Sequence, residues 1–357
     1  MTEIVVVGAG LAGLVCAQQL AQAGYRVSVL EKSRGLGGRL ATRRLQNTCA
    51  DQGTRSLQAD SELLRSLIAH LVPIDILQPW SAQAYRWQAQ QLVASQSSAH
   101  YSAPQGITAV AKFLAKGLTI QRQCRVIALS READTWQLQI QTPDAVTALT
   151  AKVVVLAIPA PQALDLLKPL RAEVVSTDAI AALEQIRYWP CLSVIAGYPP
   201  HCFGQFGALP LPGWWVEFTN DADLAWVGLE SSKRPEADFP LIVLQSSTAF
   251  AQAYGETTDL LATGKQLLQS AAGRILPWLS QPDWLQGHRW RYGFVAQPQV
   301  EPLLTLAADP WLLICGDGHG GAGVTAALQS GFATADSLNQ QLEQRSLLAP
   351  SELWQHL

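Results

Sequence analysis

The sequence predicts an α/β fold divided into two lobes. Three observations predict it: a β-branched run, Glu3 to Val7, that breaks into glycines and resumes with helical spacing; the same order of strand, glycine loop and helix from Pro310 onward; and, between them, short alternating runs set apart by proline and glycine. Strands alternating with helices build a parallel sheet, whereas the middle runs build an antiparallel one. At 357 residues the chain also exceeds the length at which a single core stops growing.

Taken in order, EIVVV is the first strand, GAGLAG the loop, and LVCAQQLAQAG a helix that Gly24 ends. A second strand runs from Tyr25 to Leu30 and stops at Glu31, which completes a βαβ unit of Rossmann-like size. Residues 60–100 are turn-rich with a helix expected over 61–71, and PQGITAVAKFLAKG leads into another helix. LTIQRQCRVIALSR, TWQLQIQT and AKVVVLAIPAP read as strands, the last fully buried and closed by Pro159 and Pro161. CLSVIAGY, LAWVGLES and LIVLQSS, with a helix over about 258–273, form the mixed antiparallel sheet of the second lobe. The expected division gives residues 1–58, 104–162 and 291–345 to a cofactor lobe, and 59–103 and 163–290 to a substrate lobe.

Composition excludes several classes. A net charge of −3 and the absence of a dense Lys/Arg stripe argue against a nucleic-acid partner. No apolar run of membrane length and no leader-like segment occurs, so the expectation is a cytoplasmic protein. Six scattered cysteines without a CxxC pair read as buried thiols, and no cluster has metal-ligand spacing, so no metal is expected. Twelve tryptophans stand against one methionine, either as core or as a stacking surface for substrate.

Gly8, Gly10 and Gly13 form G-x-G-x-x-G with Ala9, Leu11 and Ala12 between them. The first allows the turn, the second a close approach of backbone to pyrophosphate, and the third close helix–strand packing. Glu31 at the end of the second strand suits ribose hydroxyls and opposes a 2′-phosphate, so the ligand here is FAD or NAD rather than NADP. Lys32, Arg34, Gly35, Gly37, Gly38 and Arg39 add cations and free backbone NH groups, an extension that favours FAD. At the far end Gly316, Asp317, Gly318, Gly320, Gly321, Gly323 and Val324 join a strand to a helix, with Asp317 placed to accept a ribityl hydroxyl. No G-x-S-x-G elbow is present, so the chemistry comes from the flavin.

VVGAGLAGL, GLGGRLATRR, VVLAIPAPQ, LESSKRP, HRWRY and CGDGHGGAGVTAALQSG together resemble motifs of the renalase-like flavoproteins in the amine-oxidase superfamily. The resemblance implies a two-lobe fold of the amine-oxidase and p-hydroxybenzoate-hydroxylase kind, non-covalent FAD, and oxidation of reduced nicotinamides (NADH, NADPH or their dihydro isomers) with O2 as acceptor and H2O2 as product. By matching motif it places Ala12, Arg39 and Asp317 at the FAD, with Val126 meeting the adenine side through backbone. The chain departs from the family where Asp51, Gln52, Gly53, Thr54, Arg55 and Ser56 replace the usual Asp-Leu-Gly-Ala-Gln-Tyr beside the flavin. Thr54, Arg55 and Ser56 remain candidate flavin contacts.

Four residues are candidates for substrate orientation or flavin electrostatics. Arg55 either presents a cation to flavin or substrate, or is a solvated loop arginine. Trp290 in HRWRY either floors the substrate site or packs between the lobes, and Arg291 beside it is solvated, stacked or paired. Lys233 is watched because related amine oxidases hold a water with a lysine. His319 reads as a loop spacer. Three rivals remain: an amine oxidase, which calls for an aromatic cage and a carboxylate; a flavin-binding sensor without turnover; and a desaturase-like enzyme with an apolar opening.

Overall fold

The computed structural model describes residues 3–45, 47–170, 174–207, 209, 213–234 and 237–357. Pro235, which ends the LESSKRP motif, lies outside them. Strand β1 (Glu3–Val7), helix α1 (Leu11–Gln22) and strand β2 (Arg26–Glu31) form the expected βαβ unit. They sit in a six-stranded sheet ordered Thr119–Arg122, β2, β1, Val153–Leu156, Trp311–Ile314, Leu304–Ala307, parallel except for the last strand.

Burial explains why β1 is an unbroken apolar run. Ile4 and Val6 face one core with Leu14, Val29, Leu67 and Leu328, while Val5 and Val7 face a second with Leu138, Leu156, Leu167 and Ile314. A strand buried on both sides has no polar face to alternate with. The run Arg125–Ala151 forms a separate three-stranded antiparallel sheet against the second core.

The substrate lobe is a seven-stranded sheet in the order Trp284–Gln297, Arg187–Gly197, Leu241–Ser246, Leu224–Leu229, Trp214–Phe218, Gln83–Gln88, Gln91–Ser95. All neighbours are antiparallel except Trp214–Phe218 with Gln83–Gln88. One face packs on the helix Leu260–Ala272 through Val194, Val216, Leu244 and Leu267. The other carries Ile195, Trp215, Trp226 and Val243 toward Trp80 and Ala50, and so toward the cofactor lobe.

Two segments expected in the substrate lobe pack elsewhere. The helix Glu62–Leu71 buries Leu64, Leu67 and Ile68 in the core around α1, and Leu166, Leu167, Ile180 and Leu183 pack on the other face of the parallel sheet. Their apolar faces announced helices but not which sheet they would cover. The boundary expected at 291 also falls within a single 14-residue strand, Trp284–Gln297. All six cysteines are buried and unpaired, and no described helix is long and apolar enough to cross a membrane.

The helix Gly323–Gln341 lies against α1 through glycine: a Cβ on Gly331 would stand 2.6 Å from the Ala12 carbonyl oxygen and 3.1 Å from Val15 Cβ. Gly331→Val therefore forces the two helices apart. Overpacking of this kind costs about 1–3 kcal/mol, and a chemical denaturation curve with an unshifted midpoint would refute the contact as described.

Candidate active site

The first glycines are fixed by backbone demands. Gly8 sits at φ +111°, with the place of its missing Cβ 2.5 Å from the Ala157 carbonyl oxygen, and a Cβ on Gly13 would stand 2.1 Å from the Gly8 carbonyl oxygen. Gly10 differs: it has ordinary backbone angles, and a Cβ there meets nothing within 4 Å. The empty space is the wall of a cavity of about 2060 Å³ that runs between the lobes.

Two helices aim their N-termini into it. Gly10 and Ala322 cap α1 and Gly323–Gln341 without a side-chain hydrogen bond, and neither first turn holds an acidic residue. The positive dipole ends are thus left without a capping or acidic side chain, as an anion site requires. Gly316 and Gly323, both at positive φ, likewise have open space where a Cβ would be. Glu31 is buried and accepts from the Ala9 NH at 2.9 Å and the Ser33 NH at 2.7 Å. Those bonds fix the carboxylate and leave each oxygen a lone pair for a ribose hydroxyl. Uncapped helix ends, glycine-lined walls and an anchored carboxylate fit a dinucleotide along this wall.

Most of the expected cofactor residues come together there. Gly8, Gly10, Leu11, Ala12, Glu31, Lys32, Gly38, Arg39, Thr54, Arg55, Ser56, Val126, Gly316, Asp317, Gly323 and Val324 line the cavity. Ala9 and Gly13 do not; they support the turn from behind. Asp317 pairs with Arg39 at 2.5 Å, and that guanidinium lies 6.0 Å from the centre of the Tyr188 ring. Burial, with Asp317 beside it, pushes the Tyr188 phenol up to about 12.

The substrate side of the cavity is built around Arg55. Its Nε donates to Gln245 Oε1 at 2.7 Å, and Gln245 donates to the Gly53 carbonyl at 2.8 Å, so one amide fixes both loop and guanidinium. The Arg55 guanidinium lies 4.9 Å from the Trp226 ring centre, within cation–π range. Its remaining surface faces the cavity, and no carboxylate is within ion-pair distance among the described residues. Burial lowers its pKa to about 10, with Cys191 and Glu217 opposing the shift. Trp290 combines both expected roles: it lines the cavity and its Nε1 donates to the Gln52 carbonyl at 2.9 Å. Arg291 is exposed at the cavity rim.

Lys233 is the candidate that the structure places off the cavity. Fully buried, its Nζ lies 2.6 Å from Glu230 Oε2 and 3.5 Å from Asp51 Oδ2, and it donates to the Arg55 carbonyl at 2.6 Å. Arg234 joins at 3.1 Å from Glu230, and the Asp51 NH donates to Glu230. This network holds up the loop that carries Arg55. His319 is also off the cavity, and burial lowers its pKa to about 4, which leaves it neutral at pH 7.

The sequence reading missed Trp80, His100, Cys191, Trp215, Glu217, Trp226 and Gln245, all on the cavity wall. His100 Nδ1 is 2.8 Å from Ser56 Oγ, and burial, then Arg55 and Lys233, lower its pKa. One signal was available: Trp215 and Glu217 stand two apart on a strand and so share a face. The tryptophans divide between the alternatives, with Trp136, Trp214 and Trp354 in the core and Trp80, Trp215, Trp226 and Trp290 on the cavity.

A dinucleotide cradle facing an aromatic, water-sheltered chamber defines an FAD-dependent oxidoreductase. The chain belongs to the family described as flavin containing amine oxidoreductase, which it matches over residues 81–339, and residues 6–71 match an NAD(P)-binding Rossmann-like domain. A 66-residue stretch is 43% identical to an L-amino-acid oxidase of Crotalus adamanteus, covering 18% of this chain and 13% of that protein. A mouse L-amino-acid oxidase is 39% identical over 67 residues, 18% of this chain and 11% of that protein. The matches thus span only a small part of these relatives. The fold is shared with a putative protoporphyrinogen oxidase from Exiguobacterium (TM-score 0.71, 16% identity, 95% of this chain and 99% of that one). It is also shared with cyclohexylamine oxidase from Brevibacterium oxydans (TM-score 0.72, 12% identity, 96% and 99%).

Two substitutions test the site. Gly10→Ala adds a methyl to open space at permitted backbone angles, so unfolding of the FAD-free protein stays unchanged while the dissociation constant for FAD rises at least roughly tenfold; equal FAD affinity would show that no ligand passes Gly10. Lys233→Met strands buried carboxylates and costs about 3–5 kcal/mol in denaturant unfolding. Unchanged stability with slowed flavin reduction would instead return Lys233 to the reaction.

Proposed function

We propose that this flavoenzyme oxidises reduced nicotinamide dinucleotides, NADH, NADPH or their dihydro isomers, with O2 as the final acceptor and H2O2 as product. One observation carries the reading: the chain is acidic overall, with 25 basic and 28 acidic residues, yet ten basic and only four acidic residues line its cavity. FAD brings two negative charges, so the wall retains a positive excess that suits a second anionic ligand. The volume agrees, since 2060 Å³ exceeds the roughly 300–1,000 Å³ of a pocket for one small ligand.

Bound FAD supplies the hydride acceptor and passes the electrons to oxygen. The protein's part is orientation and electrostatics. Arg55, clamped by Gln245 and Trp226, offers two unpaired Nη groups to a carboxamide or to negative charge developing nearby. Trp215, Trp226 and Trp290 give flat apolar walls for a planar ring and exclude water. A dihydronicotinamide yields hydride without first losing a proton, so the wall needs no strong base.

A second reading, amine oxidation, is favoured by Glu217 among Trp80, Trp215, Trp226 and Trp290, which is the cage and carboxylate that an ammonium substrate calls for. The relatives and neighbours named for amine and amino-acid oxidation support it too. Arg55 opposes it, because a half-buried guanidinium on the wall of the same chamber repels an ammonium.

Anaerobic stopped-flow reduction decides between them. Rapid bleaching of the flavin by a reduced nicotinamide supports the proposal, and bleaching only by amines or amino acids replaces it. Under the proposal, Arg55→Gln weakens apparent affinity for the reduced nicotinamide about tenfold and Arg55→Lys restores part of it; equal affinity in Arg55→Gln would remove Arg55 from substrate binding.

A further inference from the structure

The reaction proposed above leaves one charged group of the chamber without a task. Glu217 is half-buried, lines the cavity, and has no hydrogen bond or ion pair among the described residues. It belongs to a cross-strand row: Glu217 is the partner of Trp226 on the neighbouring strand, and Trp226 is the partner of Gln245 on the next. Residues paired across a sheet project from one face, and all three reach the cavity. Arg86, on the other side of Glu217 in the same row, is exposed and makes no ion pair with it.

Arg55 lies over the middle of this row, joined to Gln245 and 4.9 Å from the Trp226 ring centre. The indole itself lies along the sheet over Gly228, where a Cβ would stand 2.2 Å from Trp226 Cη2. Burial lowers the Arg55 pKa while Cys191 and Glu217 oppose the shift, so the carboxylate is within electrostatic reach, yet no ion pair closes between them. The chamber therefore keeps a donor and an acceptor near each other and unjoined: a guanidinium only donates hydrogen bonds, and an ionised carboxylate only accepts them. The row itself stands on three strands of the substrate sheet, and Arg55, from the loop beside the cofactor, is drawn onto that sheet by Gln245 and Trp226.

We propose that Glu217 and Arg55 together read the primary carboxamide of a dihydronicotinamide, Glu217 accepting from its NH2 and Arg55 donating to its carbonyl oxygen. The inference rests on the reading that the substrate is a reduced nicotinamide, and it makes Glu217 a specificity-determining residue. A carboxamide presents a donor and an acceptor on one carbon. A carboxylate in its place sets a like charge against Glu217, and a substituent that lacks either group leaves one polar partner unpaired, which is where binding sites discriminate most strongly.

The test compares two oxidised dinucleotides that differ at this one group, NAD+ and nicotinic acid adenine dinucleotide, by calorimetric titration into the FAD-loaded protein. Both carry the same pyridinium ring and phosphates, so their difference isolates the amide. NAD+ is expected to bind at least roughly tenfold tighter than the acid. Glu217→Gln, which keeps the shape and supplies an NH2 donor, abolishes or reverses that preference, because Arg55 then favours the carboxylate; Glu217→Asp retains it. FAD affinity and the unfolding midpoint stay at wild-type values in Glu217→Gln. Equal binding of the two dinucleotides, binding of neither, or a preference that survives Glu217→Gln overturns the proposal. A weakened FAD affinity in Glu217→Gln also overturns it and gives the carboxylate to the cofactor. Binding of α-amino acids that Glu217→Gln abolishes overturns it too, and gives the pair to a zwitterion. Flavin reduction is scored separately. If the amide preference follows Glu217 but no reduced nicotinamide bleaches the flavin, the carboxamide site stands and the assigned reaction falls; if NADH bleaches the flavin and the preference does not follow Glu217, the reaction stands and this site falls.

Discussion

The arrangement of the active chamber depends on neutralising one buried ammonium. Lys233 comes from the substrate sheet, and the groups that satisfy it, Asp51 and the Arg55 carbonyl, come from the loop beside the cofactor. Glu230 and Arg234 complete the charge balance. Leaving any of these charges unpaired in the interior costs several kcal/mol, so the loop has one satisfactory position against the sheet. Arg55, Gln245, Trp226 and Trp290 take their places from that fixed loop. Lys233 is thus remote from the reaction yet sets the geometry in which it happens.

The wall of the cavity shows a division of labour in charge. On the nucleotide side, helix ends that carry no capping side chain add to the positive potential of Lys32 and Arg39. On the substrate side it comes from one guanidinium held between an amide and an indole.

The cofactor half was legible in the sequence because its demands fall on backbone. A turn at positive φ against a neighbouring carbonyl admits only glycine at Gly8, and helix–strand contact admits only glycine at Gly13, so spacing alone exposes them. The doubly buried β1 announced itself as an unbroken β-branched run for the same reason. The substrate half was less legible, because its residues meet only through long-range register. Glu217 lies opposite Trp226 across one strand pair, and Gln245 reaches a loop 192 residues away. Nothing local marks Gln245 as the clamp of Arg55. Lobe boundaries failed similarly: the helix Glu62–Leu71 shows an apolar face but not its destination.

The strand Trp284–Gln297 begins in the substrate sheet, passes Gln52 at Trp290, and carries Tyr292 to within 5.6 Å of Tyr188. It is paired along most of its length with Arg187–Gly197. That ladder stiffens the strand, so the bond from Trp290 to the Gln52 carbonyl ties the substrate sheet itself to the loop beside the cofactor.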